Sequence, residues 1–373
     1  MKTLTVTIVH TTNYGAVLQA YALQQSILST GAENTLLDYR RNDNKLTCFH
    51  FVNFIKDPVK WAKNVASQLV GLFNLRAISK KKKSFLQFEK THLSSSKCYT
   101  TIDGLKKDPP EADVYFTGSD QVWRFSEGEK FIEACYLNFG QRNVRKCSYA
   151  ASMEKMNYTD EQKAHVREWL GSFSKISLRE QSAADYINSI TGYSTCRVLD
   201  PVFLLQKEQW LKISKPREIK GPYILCYQVQ SAPRMQEIVN QLKMATGYRT
   251  VAVLPYATKW IKTDDALYDV SPQEFLYLMS KAEIVVAASF HGVAFGMEFG
   301  KVVYGTSRDG YSERIKGIMD LLGAGDFYIS EKSIIPNASD YPIDLVNKRL
   351  FEERGVSKSY LLECLKMEDA NEK

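Results

Sequence analysis

The chain has 373 residues, 44% of them hydrophobic and 24% charged, with a formal net charge of +7. That length exceeds one ordinary hydrophobic core and the composition is globular, so two domains are expected and an intrinsically disordered chain is excluded. The mild basic excess suits acidic small molecules or an anionic membrane surface, but it lacks the dense clustering of a nucleic-acid binder.

Seven cysteines, at positions 48, 98, 135, 147, 196, 226 and 364, are scattered and form no CxxC pair. They argue for reduced thiols rather than a disulfide framework or a structural zinc site. Met1 to Thr3 lead directly into a strand-like run without a signal-peptide core, and no apolar run approaches the ~20 residues that span a bilayer. A cytoplasmic protein is the expectation.

Leu4 to Val9 is alternating and β-branched, the first strand. The turn HTTNYGAV follows, with Asn13 and Gly15 placed to cap the helix Ala16 to Leu28 and to let backbone approach a ligand. A tight strand-to-helix turn with a good cap explains the same residues without a ligand. Gly31 ends the helix and Asn34 to Tyr39 is the second strand, so the chain opens as the βαβ unit of a parallel, doubly wound domain. Residues 42–88 break the rhythm. Phe51, Phe54, Trp61, Leu69 and Phe73 mark an aromatic, amphipathic helical stretch that runs into Lys80 to Lys83. It reads as a helical insertion packing on its own domain, or as a peripheral membrane contact through residues 51–83 with its lysines facing anionic lipid.

The parallel pattern returns at Asp113 to Thr117 and closes on Gly118-Ser119-Asp120-Gln121, which aims polar side chains at a sheet edge. Asp120 would serve equally as a helix cap. Lys146 to Ala150 is a strand, Thr159 to Phe173 a helix, and Lys175 to Leu178 a strand ending at Arg179. An arginine fork there suits phosphate or carboxylate, with an ion pair to Glu180 or Asp185 as the structural alternative. Val198 to Leu205 carries Pro201 and marks the domain boundary. The second domain restarts with the strand Tyr223 to Tyr227, the helix Pro233 to Thr246, the strand Arg249 to Leu254 and a helix whose start, Ser271-Pro272 with Glu274, is a capping box.

Ala282 to Gly296 reads AEIVVAASFHGVAFG: a buried strand, a small-residue turn and the start of a helix. Such a turn presents side chains and free helix N–H groups at the carboxyl edge of a parallel sheet, where α/β folds bind ligands. A histidine at that point, His291, can donate or accept a proton near neutral pH beside a bound anion. A histidine hydrogen-bonded into the core is the alternative. The strand Val302 to Gly305 and the helix Tyr311 to Leu322 follow, with Arg314 in that helix's first turn. An amphipathic helix from Ser357 to Met367 closes the pattern.

The order NYGAVLQAYALQ, FTGSDQVW, SYAAS, SLRE, VLDPVFLL, ASFHGVAF and SERI resembles the polysaccharide pyruvyl transferase family, from about Leu4 to Leu365 apart from the 42–88 insertion. The resemblance implies an α/β, GT-B-like fold: two Rossmann-type parallel-sheet domains facing across a cleft, residues 1–200 and 201–335, with 336–373 a last helix packed back toward the first domain. It implies transfer of the enolpyruvyl unit of phosphoenolpyruvate onto a sugar diol of a capsular or exopolysaccharide glycan, lipid-linked at the inner face of the membrane. The products are a pyruvate ketal and free phosphate. His291 would protonate the methylene carbon. Arg179, Arg314 and Ser289 would bind phosphoenolpyruvate, and Asn13, Gly15, Ser119 and Asp120 would contact acceptor or phosphate. Neither a metal nor a cofactor beyond the donor is implied, and no nucleic acid.

Many members carry Arg-Leu-His where this chain has Ser289-Phe290-His291. Arg314, Lys301 or Lys316 must then supply the missing charge if the donor is the same. A GT-B glycosyltransferase using a nucleotide sugar and a non-catalytic glycan-binding relative stay open. The first lacks a clear Glu-x7-Glu pattern in the second domain, and the second draws support from the missing arginine.

Overall fold

The computed structural model describes residues 1–40, 74–125, 131–141, 143–153, 156–230, 232–254, 261–308 and 312–366. Two parallel sheets organise them. The first joins β1 (Lys2–Val6), β2 (Glu33–Tyr39), β3 (Ser95–Tyr99), β4 (Val114–Thr117) and β5 (Arg145–Ser148) in the order β3-β2-β1-β4-β5. A short pair, β6 (Ile176–Leu178) and β7 (Thr195–Arg197), continues it through bridges such as Cys147 with Lys175. The second sheet joins β8 (Tyr223–Gln228), β9 (Arg249–Val253), β10 (Asp265–Leu267), β11 (Ile284–Ala288), β12 (Val302–Thr306) and β13 (Tyr328–Ile329) in the order β10-β9-β8-β11-β12-β13. Each sheet starts in its middle, winds to one edge and returns to wind to the other, the doubly wound plan. The runs that form β8 and β11 are buried along their whole length, as strands covered on both faces must be. The fold is GT-B-like.

Several elements depart from the pattern read in the sequence. β1 stops at Val6 rather than Val9, because Thr7 turns its hydroxyl onto the Ser119 carbonyl at 2.9 Å and His10 takes a φ of 60°, which carries the chain off the sheet. β3, β7, β10 and β13 are short, two to five residues, and too brief for an alternation to declare itself. The 42–88 stretch lies partly outside the described residues. Its described end is the helix Leu75–His92, which forms part of the crossover from β2 to β3. Lys80 there pairs with Asp269 at 2.7 Å, and Lys81 is buried with its ammonium 4.7 Å from the Tyr14 ring, where burial pushes its pKa down to about 7. Lys82 and Lys83 are exposed. This end of the stretch therefore does not pack on the first domain alone, since Asp269 belongs to the second half of the chain.

Tyr14, at the start of the helix Tyr14–Leu28, joins the two halves. Its ring stacks on Phe275 at 4.6 Å, its hydroxyl donates to the Val270 carbonyl at 2.8 Å, and Phe85 packs on it at 5.0 Å. The last helix, Ile343–Leu365, begins 14 residues before the stretch expected from periodicity. It buries Val346 and Leu350 among side chains of the second sheet's core, and Leu361, Cys364 and Leu365 among those of the first. A helix that changes its buried partner midway shows no single apolar stripe, which hides its first half from a periodicity reading. Arg354 bonds the Phe203 carbonyl and Glu298, and Tyr360 bonds the Ser148 carbonyl at 2.9 Å, so the helix straps the two sheets together. Among the described residues no helix is long and apolar enough to cross a membrane.

Candidate active site

In a doubly wound sheet the ligand crevice opens at the carboxyl ends of the two strands where the winding reverses. Those strands are β1 and β4 in the first sheet and β8 and β11 in the second. The two crevices face each other across a cavity of about 350 Å³. Asn13 reaches it from beyond β1, Asp120 and Gln121 from beyond β4, Tyr227 from β8, and Ser289 and His291 from beyond β11.

Ser289 ends the strand in an extended conformation and caps the helix Phe290–Glu298, its Oγ accepting from the Gly292 N–H at 3.0 Å. Gly292 is required there: a Cβ would stand 2.7 Å from Tyr227 Cδ1 and 2.8 Å from Ala287 Cβ. His291, the second helical residue, is held between two neighbours. A Cβ on Gly15 would lie 2.1 Å from its Nδ1, so the ring rests directly on the glycine backbone. Its Nε2 lies 3.4 Å from Asp200 Oδ2. The Gly15 N–H is itself bonded to Asn13 Oδ1 at 3.0 Å, which fixes the turn that receives the ring.

Asp200, which the sequence reading left within a boundary motif, is the hub of the site. It is fully buried, and its Oδ2 accepts from Arg179 Nη1 at 2.9 Å and from Ser119 Oγ at 2.8 Å while facing His291. Its Oδ1 accepts from the Val202 N–H at 3.1 Å. Burial alone would raise its pKa, but His291 and Arg179 outweigh that and hold the carboxyl well below its usual range. The available signal was a single aspartate inside the apolar run VLDPVFLL, since a carboxylate in such a setting must find partners.

Arg179 is equally committed. Its side chain is buried, Nη1 meets Asp200, Nε meets Glu180 at 2.9 Å, Nη2 meets Ser152 Oγ at 3.0 Å, and Phe290 covers the guanidinium at 4.1 Å. It lines the cavity, but two carboxylates already answer its charge, one of them the Glu180 partner foreseen and the other Asp200 rather than Asp185. Ser119 corrects the expectation more sharply: its side chain points into Asp200 and does not line the cavity. Gly15 also stays behind the cavity wall, as the seat of His291.

Asp120 lines the cavity with φ at 74°, a left-handed conformation unusual for a side-chain-bearing residue, pinned by Val122 and Ser152 N–H groups on its carbonyl at 2.7 and 3.0 Å. Arg314 lines it from the helix Ser312–Leu322, and Gln121, with its carboxamide oxygen turned that way, accepts from Arg314 Nη2 at 3.1 Å across the cleft. Arg124 also lines it, a residue not singled out in the sequence. Lys301 precedes β12 and so stands at the amino edge of the sheet, away from the cavity; Lys316 pairs with Asp320. Of the three replacements considered for the missing arginine, Arg314 alone lines this cavity. Among the described residues no group of three or more His, Cys, Asp or Glu side chains is arranged to hold a metal ion.

Comparison with known proteins bears on both fold and family. No curated protein matched the chain. Among solved structures, a putative UDP-N-acetylglucosamine 2-epimerase from Listeria monocytogenes superimposes with a TM-score of 0.53 at 12% identity, covering 98% of this chain and 95% of that one. The UDP-GlcNAc 2-epimerase of Methanocaldococcus jannaschii gives 0.52 at 11% identity, covering 98% and 99%. At these identities the likeness concerns the fold alone. The family model described as polysaccharide pyruvyl transferase matches residues 13–310, which include the Asn13 turn, Asp120, Arg179, Asp200 and the Ser289–His291 turn. The chain belongs to the polysaccharide pyruvyl transferase family.

Proposed function

We propose that the cavity binds phosphoenolpyruvate and that the protein transfers its enolpyruvyl unit to a sugar diol of a capsular or exopolysaccharide glycan. The observation that carries this reading is His291 seated on Gly15 and facing Asp200, at the wall of a cavity lined by Arg124, Arg314, the already paired Arg179 and one carboxylate, Asp120. Phosphate and carboxylate groups of the donor would meet Arg314 and Arg124 and the capped helix start at Ser289. His291 gives its proton to the methylene carbon, leaving an oxocarbenium-like C2. One sugar hydroxyl bonds to C2, the C2–O bond to phosphate breaks, and the second hydroxyl closes the ketal. Of the two hydroxyl protons, one restores His291 and the other leaves with phosphate. Asp200 faces the imidazole throughout, and Asn13 and Asp120 are placed to meet the reacting hydroxyls where the acceptor enters this cavity.

The test is phosphate release from phosphoenolpyruvate in the presence of candidate glycans. His291→Gln should reduce it by about 10²–10⁴-fold, the range of general acid catalysis; full activity in that variant would refute the mechanism. A nucleotide-sugar glycosyltransferase is the competing reading. For a lipid-linked acceptor, a peripheral membrane contact through the 51–83 stretch is part of the proposal. Flotation with vesicles containing anionic lipid should weaken on Lys82→Glu with Lys83→Glu, and unchanged flotation would remove that part.

A further inference from the structure

A second cavity, of about 610 Å³, lies between the same two halves of the chain and shares Arg179, Phe290 and Arg314 with the first. Its size falls within the ~300–1,000 Å³ of small-ligand sites. One wall carries Gln181, Ser182, Arg197 and Leu199, and the other is the face of the helix Ser312–Leu322 that bears Glu313, Gly317, Ile318 and Leu321.

The two cavities differ in charge. Lys316 is matched by Asp320, and Arg179 by Asp200 and Glu180. Arg197 holds Glu353 at 2.7 Å, and Ser182 donates to Glu313 Oε2 at 3.3 Å across the cleft. Counting Arg314, the formal charges of the lining cations (Arg179, Arg197, Arg314, Lys316) and carboxylates (Glu180, Asp200, Glu313, Asp320) sum to zero. A second phosphate or a nucleotide diphosphate finds no excess of positive charge there. Amide, hydroxyl, carboxylate and guanidinium edges beside an apolar surface are instead what a neutral, hydroxyl-rich ring requires.

We infer that this second cavity is the acceptor subsite and takes neutral sugar units of the glycan, with Arg314 as the partition between acceptor and donor. The inference rests on the donor reading of the first cavity. Gly317 offers a clean test, because it lines the second cavity only and a Cβ built on it meets nothing within 4 Å. Gly317→Trp therefore adds an indole at the cavity wall without a clash at Cβ, in a helix that gains from the loss of its glycine.

Binding of neutral di- to tetrasaccharides of glucose, galactose, mannose and N-acetylhexosamines is followed by saturation-transfer NMR, and phosphoenolpyruvate binding by calorimetry. Wild-type protein should bind members of the panel, and Gly317→Trp should lose at least tenfold in affinity for them while keeping phosphoenolpyruvate affinity within twofold. Glu313→Ala, at an exposed position, should weaken glycan binding about threefold and guards against misfolding of the first variant. Undiminished glycan binding in Gly317→Trp, binding of anionic glycans alone, or no binding by the wild type would each overturn the subsite. Glycan binding that depends on Gly317 in a protein that ignores phosphoenolpyruvate would instead leave the subsite standing and remove the donor reading.

Discussion

Gly15 and His291 share one space: the Cβ that any other residue would place at position 15 falls 2.1 Å from the imidazole Nδ1. The first loop of the first domain thus sets the position of the histidine offered by the second. Gly15→Ala must push the ring aside. The expected result is a loss of about 10²-fold in turnover, the scale of an ångström-sized misplacement of a reacting group, with a stability cost of ~1–3 kcal/mol from overpacking. Steady-state phosphate release and denaturant unfolding measure the two separately. Normal turnover in Gly15→Ala would show that the ring's seat is unimportant.

Asp200 links stability to pH in a defined direction. Its folded pKa lies below the ordinary carboxylate value near 3.9, so its contribution is present above that value and is lost as pH falls through the folded one. Asp200→Asn should be destabilised at neutral pH by ~3–5 kcal/mol, the cost of removing one partner from a buried ion pair. The gap to wild type should shrink as the medium is acidified below about pH 4. Chemical unfolding between pH 2 and 7 tests this, and a gap constant over that range would contradict the assignment.

His10 provides a second pH signature with the opposite sign. It stands in the loop between β1 and the helix Tyr14–Leu28, with Nδ1 3.0 Å from Glu89 and Nε2 2.9 Å from Asp38. The Glu89 hydrogen bond, acting against burial and aided by the charges of Glu89 and Asp38, raises its pKa; Arg40 opposes. A raised histidine contributes fully below its unfolded value near 6.5, and that contribution fades as pH rises through the folded value. His10→Gln should therefore be less stable than wild type at pH 6, with the difference narrowing by pH 9. A difference that widened with pH would reverse the reading.

The parallel, doubly wound plan of the first sheet was legible because the strand-turn-helix alternation was strong, and so was the placement of His291 at a strand-to-helix turn. What escaped was set by contacts distant in sequence. Asp200 looked like a boundary residue because its partners Ser119, Arg179 and His291 arrive from three other elements. Two partners of Arg179 escaped for the same reason, since neither Asp200 nor Ser152 is adjacent to it in the chain. The early start of the last helix was hidden by its change of buried partner between Leu350 and Leu361. Local pattern reports elements and turns, whereas the division of charge between structure and ligand depends on which turns meet.

The central claim is that the cavity between the two sheets takes phosphoenolpyruvate, with Arg314 replacing the arginine absent at Ser289. Calorimetric titration of wild type and Arg314→Ala with phosphoenolpyruvate and with UDP-N-acetylglucosamine tests it most directly. The account predicts binding of phosphoenolpyruvate by the wild type, at least a tenfold loss in Arg314→Ala, and no binding of the nucleotide sugar by either. Tight binding of UDP-N-acetylglucosamine with none of phosphoenolpyruvate would contradict it.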